Sequence, residues 1–251
     1  MCIDTFARSD PPPEFFVSPL NVSEPDVNAS STRAVYMGDQ LRLNLIALDT
    51  NVVDQVAISH SSLLPVGASL SDPVGAASRR VSRNFTFAPP EKLGGLEGEL
   101  CFTASDLLRG KGGGGEVEKC IPVRVPKCQY RVGAGQTLLD IAKAYGINWL
   151  QLWALNKHIS RPEGHGLDGA VQAGDILYVG QLVRVRRGDS LERLAARFGT
   201  TLRQIVALNA DITPTRPLTT GQLVCLVPST CADTPPSHPP AHISNDSPYY
   251  A

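Results

Sequence analysis

Apolar and polar residues alternate with a period of two in five stretches of the first half: QLRLNLIAL (40–48), VAIS (56–59), NFTFAP (84–89), ELCFTA (99–104) and KCIPVRVP (119–126). A strand points successive side chains to opposite faces, so each stretch can bury one face and wet the other. Turn-forming runs (Met-Gly-Asp, Asp-Thr-Asn, Pro-Val-Gly, Gly-Gly) separate them. Roughly six or seven short strands in about 110 residues predict an all-β sandwich over 14–126.

Beyond residue 127 the pattern changes to a duplicated one. Residues 132–156, VGAGQTLLDIAKAYGINWLQLWALN, align without a gap with 185–209, VRRGDSLERLAARFGTTLRQIVALN. The identities include Val132/Val185, Gly135/Gly188, Leu138/Leu191, Gly146/Gly199 and Asn156/Asn209. AGDILYV (173–179) then matches TGQLVCL (220–226) at a shorter offset, so the first copy carries about six extra residues around HISRPEGHGLDG (158–169). Each copy reads as strand–helix–helix–strand. Thr137 and Ser190 are placed to cap the first helix, and Gly146 and Gly199 to end it. Leu191, Leu194, Ala195 and Phe198 fall on one helical face. Thr200 or Thr201 opens the second helix.

The residues Val185, Gly188, Asp189, Ser190, Leu191, Leu194, Ala195, Phe198, Gly199, Thr201, Ile205, Leu208, Asn209, Gly221, Gln222 and Leu223 together resemble the LysM module. The first copy resembles it too, with Gln136 where Asp is usual and Asp175 where Gln is usual. The resemblance implies a βααβ unit that binds polysaccharide containing N-acetylglucosamine, of the chitin or peptidoglycan type. It implies a shallow groove between the first strand–helix turn and the loop before the last strand. In the first copy this would involve Gly135, Gln136, Thr137 and Leu138 with Lys157, His158 and Ile159. In the second it would involve Gly188, Asp189, Ser190 and Leu191 with Asp211, Ile212 and Thr213. A neutral sugar polymer needs apolar contact for ring faces and a few hydrogen-bonding groups. Shallow repeated sites gain by avidity.

The N-terminal strings LPVGASL, NFTFAPP and CFTASD more loosely resemble cadherin-like, immunoglobulin-type domains. Asp49, Asp54 and Asp106 raise the question of calcium, but no calcium-loop spacing accompanies them, so they read as solvated turn acids. The expected fold class is α+β and multidomain. A flexible N-terminus (1–13) precedes the sandwich (14–126), LysM-like modules at 128–180 and 181–228, and a Pro-rich disordered tail (229–251).

Six cysteines show no zinc-type spacing. Cys101 and Cys120 lie in strand-like segments on either side of a glycine run, so a hairpin would bring them together as a disulfide. One pair among Cys128, Cys225 and Cys231 would tie the ends of the C-terminal half, and the sequence leaves open which. Asn21, Asn28, Asn84 and Asn245 begin Asn-x-Ser/Thr triplets, and the first three are candidate glycosylation sites. These features favour an extracellular or cell-wall setting. The opening MCIDTFARSDPPPEFF has no signal-like apolar stretch, which fits either a protein that is not secreted or a chain lacking its true N-terminus.

A net charge of -1 argues against nucleic-acid binding through bulk charge. No run of 18 apolar residues encodes a membrane span. Arginines 184, 186, 187, 193, 197 and 203 make the second copy basic, by default a solvated face and alternatively an attraction for acidic polysaccharide. Trp149 and Trp153, aliphatic in the second copy, read as packing positions. His158 and His165 offer too few ligands for a metal. With no nucleophile motif, zinc-binding His-Glu pair or phosphate loop, the chain reads as a non-enzyme without a cofactor. The leading expectation is a non-catalytic glycan-binding protein. The alternatives are a structural or adhesion protein whose modules bind other wall or surface proteins, and the targeting part of a larger wall hydrolase.

Overall fold

The structure is a computed structural model and describes residues 11–20, 32–50, 55–61, 63–90, 93–107, 115–159 and 170–227. His165, Cys2, Cys231, Asp54, Asn21, Asn28, Asn245, most of the glycine run and most of the extra loop lie outside these residues.

The described residues between 14 and 124 form two four-stranded sheets. The first has the order β1 (Glu14–Pro19), β3 (Leu41–Leu48), β6 (Arg80–Phe87), β5 (Ala68–Leu70). The second has β2 (Arg33–Ala34), β8 (Glu116–Arg124), β7 (Glu97–Asp106), β4 (Val56–His60). All pairings are antiparallel except β2 on β8. Alternation decides the inner face. Leu41, Leu43, Leu45 and Ala47 of β3 are buried, as are Leu100, Phe102 and Ala104 of β7. Phe85 and Phe102 meet edge to face across the sheets, centroids 5.0 Å apart. The five strands predicted are all present; the additional β1, β2 and β5 are mostly too short to show a period.

Cys101 and Cys120 stand directly opposite on β7 and β8 and form a disulfide, with Cα atoms 4.0 Å apart. Asp49 and Asp106 correct the expectation of solvated acids: they are only 1% and 6% exposed. Each sits at the end of a strand, where the alternation of β3 and β7 turns its side chain inward.

The first module comprises β9 (Gln129–Arg131), α1 (Leu138–Tyr145), α2 (Trp149–Leu155) and β10 (Ile176–Tyr178). The second comprises β11 (Gln181–Arg184), α3 (Leu191–Phe198), α4 (Leu202–Leu208) and β12 (Leu223–Leu226). In each, the two strands pair antiparallel. Thr137, Asn148, Ser190 and Thr201 cap the four helices, and Gly146 and Gly199 end α1 and α3 in the left-handed conformation.

A buried Asn ties the second helix of each module to its closing strand. Asn156 Nδ2 donates to the carbonyls of Leu152 and Tyr178, and its Oδ1 accepts from Tyr178 N. Asn209 repeats the arrangement with Ile205 and Cys225. Every polar atom of these two fully buried amide groups is thereby satisfied.

The modules are joined to each other and to the sandwich. Cys128 and Cys225, both fully buried, form the second disulfide, from the start of the first module to the last strand of the second. Tyr145 and Ile147 pack against Leu208 and Val227 beside it. Ala210 N donates to Gly94 O of the sandwich at 2.9 Å. Lys127 Nζ pairs with Asp211 Oδ2 at 2.7 Å. Tyr130 and Val132 share one buried cluster with the sandwich core.

Candidate functional site

The expected grooves are built on the same frame twice. In the first module the strand–helix turn is anchored by Leu138 and the outgoing loop by Ile159, both buried in one cluster. In the second, Leu191 and Ile212 do the same. The common offset thus continues as far as Ile159 and Ile212, and the extra residues fall beyond Ile159. These four apolar residues hold the loops from inside, while the backbone and polar neighbours form the outer surface.

On that surface the structure leaves Gly135, Lys157 and His158 exposed in the first module, and Gly188 and Thr213 in the second. Thr137 and Ser190 are half-buried, each accepting from a backbone N–H of the first helical turn. Asp211, though exposed, is held by Lys127 and also accepts from Gln222 Nε2 at 3.2 Å. The loop that leaves α4 is therefore tied to the sandwich on one side. Lys127 was not a sequence candidate, since a partner 84 residues away leaves no local signal.

The two departures from the family pattern preserve local chemistry. Asp189 Oδ2 accepts from Arg186 N at 2.8 Å, and Gln136 Oε1 accepts from Gly133 N at 2.7 Å, three residues back in each case. Asp175 accepts from Gln172 N where Gln222 accepts from Thr219 N. Carboxylate and amide oxygens exchange roles across the copies, and both turns stay closed. Gln136 also bonds the Tyr130 hydroxyl.

Three exposed carboxylates are held below their ordinary pKa. Asp140 accepts from the Thr137 hydroxyl and backbone N–H. Asp189 accepts from Arg186 N and faces Arg197. Glu192 is stabilised by its own backbone N–H and by Ser190. Each stays charged at the start of a helix, where the helix dipole favours an anion.

Trp149 and Trp153 are half-buried against the hydrophobic core, with Trp153 Nε1 donating to Ile159 O at 3.4 Å. Trp153 thus braces the loop that leaves α2. Among the described residues, metal-ligating groups gather at Glu99, Cys101 and Cys120, where the two sulfurs are committed to each other. Among them, too, no helix is long and apolar enough to cross a membrane. Asn84 is exposed on β6.

A LysM domain family model matches residues 130–181 and 183–227. These two segments are LysM domains in tandem. LysM domains are carbohydrate-binding rather than catalytic modules, directed to polymers of the N-acetylglucosamine type. No curated protein matches the chain significantly. Among solved structures, the chain is similar to domains 4 and 5 of the S-layer protein SbsC, with 15% identity, TM-score 0.22, and coverage of 45% of this chain and 53% of that one. It is also similar to Rst D1-D2, with 10% identity, TM-score 0.23, and coverage of 45% and 49%. A third is a family 123 glycoside hydrolase from Clostridium perfringens, with 10% identity, TM-score 0.27, and coverage of 55% and 33%. The chain spans about half or less of each of these, and TM-scores this low carry no functional argument.

Proposed function

We propose that this protein is a non-catalytic binder of chitin- or peptidoglycan-type polysaccharide, working at a cell wall or outside the cell. The supporting observation is the pair of LysM domains with matching groove frames, each held by a buried apolar pair and a satisfied Asn. The surfaces offered to glycan are Gly135–Thr137 with Lys157 and His158, and Gly188–Ser190 with Thr213; Leu138, Ile159, Leu191 and Ile212 support them from within. Because single shallow sites bind weakly, the bridge from Cys128 to Cys225 serves function by keeping two sites in a fixed relation, which raises avidity. The sandwich serves as the platform to which both domains are pinned, and two disulfides suit an oxidising setting.

Retention of the oxidised chain on insoluble chitin and on insoluble peptidoglycan tests this. One polymer should retain the chain, and altering loops 188–190 and 213 together with 135–137 should abolish retention. A folded, oxidised chain that neither polymer retains would overturn the proposal.

A further inference from the structure

The duplication provides a comparison within one molecule. In the first LysM domain, the outer edge of β9 is covered by the sandwich segment 36–39. Met37 bridges Tyr130 in parallel, and Arg131 N donates to Met37 O at 2.8 Å. The Arg131 guanidinium lies 4.9 Å from the Tyr36 ring centroid and 3.4 Å from Asp39 Oδ2. Tyr145 Oη donates to Met37 Sδ at 3.5 Å. Gly38 permits this approach: at φ +82, an added Cβ would stand 2.5 Å from Arg131 O. One short segment, bridging at Met37 and then turning back where Asp39 N donates to Tyr36 O at 3.0 Å, thus supplies main-chain pairing, an aromatic face and a carboxylate.

The same positions in the second LysM domain are Val183, Arg184 and Phe198. Among the described residues, β11 pairs with β12 alone. Val185 N donates inward to Gln222 O, so strand alternation turns the N–H of Arg184 away from β12, as that of Arg131 is turned toward Met37. A cleft of about 770 Å³ follows β11, lined by Leu182, Arg184, Arg186, Arg187, Arg197 and Phe198. Leu182 is 40% exposed. The first-copy counterparts of Arg186, Arg187 and Arg197 are Gly133, Ala134 and Ala144, so the basic character belongs to the open copy. Asp189, paired with Arg197 at 3.4 Å, offsets one of these four arginines.

We propose that the outer edge of β11, with Arg184, Arg186, Arg187 and Phe198, docks an extended acidic segment of a partner protein. The partner's main chain adds a third strand to the β11–β12 sheet. Its carboxylates meet the arginine fork, whose geometry suits them. An apolar or aromatic side chain rests on Leu182 and Phe198. The site adjoins the second glycan turn through Asp189, which accepts from Arg186 N and pairs with Arg197. Its readout is therefore taken at Leu182, Arg184 and Phe198, which are not assigned to glycan, so either reading can fail without the other.

The test uses the full oxidised chain, labelled with 15N, and a capped peptide, AVYMGDQ, copying residues 34–40. Saturable shifts are expected at the amides of Leu182, Arg184 and Phe198. Asp39→Asn in the peptide, or Arg184→Gln with Arg186→Gln in the protein, should weaken binding about two- to fivefold, as should added salt. The protein variant's spectrum elsewhere reports that it is folded. No shift along β11 would overturn the proposal, as would equal binding by the neutral peptide. A shift of these amides by polygalacturonate and not by the peptide would also overturn it, in favour of an acidic polysaccharide.

Discussion

Replacing Cys128 and Cys225 with Ala removes a bridge that closes a loop with a sequence separation of 97. In the chain-entropy description, a loop of this size contributes about 4.7 kcal/mol by restricting the unfolded chain. The Cys101–Cys120 bridge closes a separation of only 19 and contributes about 3.3 kcal/mol on the same description. The long bridge is also fully buried between Leu208 and Val227, so its loss leaves a packing defect in addition. For a chain of this size the long bridge corresponds to a fall in Tm of about 10 °C or more. The two tryptophans, Trp149 and Trp153, both lie in α2, so intrinsic fluorescence follows unfolding of the first LysM domain. Thermal and urea unfolding of Cys128→Ala/Cys225→Ala and of Cys101→Ala/Cys120→Ala should therefore be compared by fluorescence. The long-bridge variant should lose more at the fluorescence midpoint. A midpoint shifted by less than about 1 kcal/mol, or a greater loss in the short-bridge variant, would refute the view that the long bridge holds the tandem together.

Asn209→Ala strands the Cys225 N–H and leaves two buried carbonyls each short of a partner; it should cost about 3 kcal/mol, and Asn156→Ala a similar amount, in urea titrations. A loss below about 1 kcal/mol at both would show that the amides only fill space. Thr137→Ala and Ser190→Ala should each cost about 1 kcal/mol through lost helix caps. Because Asp140, Asp189 and Glu192 are held below their ordinary pKa when folded, their contribution is present at neutral pH. It is lost as pH falls below about 4 and onward through the lowered folded pKa. Asp140→Asn should flatten that acid-side loss in the melting curve, and an unaltered slope would contradict the assignment. Gly38→Ala meets both backbone and the Tyr130 ring and should loosen the seam between sandwich and first domain, seen as faster proteolysis there.

The period-two runs and the 53-residue repeat carried most of the architecture, because both are local signals: alternation in β3 and β7, and caps and glycine stops at Thr137, Ser190, Gly146 and Gly199. The disulfide at Cys101 and Cys120 was legible because a hairpin makes the two residues neighbours. Cys128 could not be matched to its partner from spacing, since the choice depends on how two modules stack. The strand–helix turns and the loops leaving the second helices were legible as elements, but not the depth of each side chain. Leu138 and Ile212 turn inward because the helix face and the loop need apolar anchors. Asp211 is drawn to Lys127 by a sandwich contact distant in sequence. Asp49 and Asp106 read as turn acids because they follow strands, yet the strand's own alternation carries them inward.

An NMR titration of the oxidised chain with a soluble N-acetylglucosamine hexamer tests the glycan claim most directly. The predicted result is saturable amide shifts confined to Gly135–Thr137, Lys157, His158, Gly188–Ser190 and Thr213, with the sandwich strands unmoved. Shifts confined to the sandwich, or none at either turn at millimolar sugar, would contradict it.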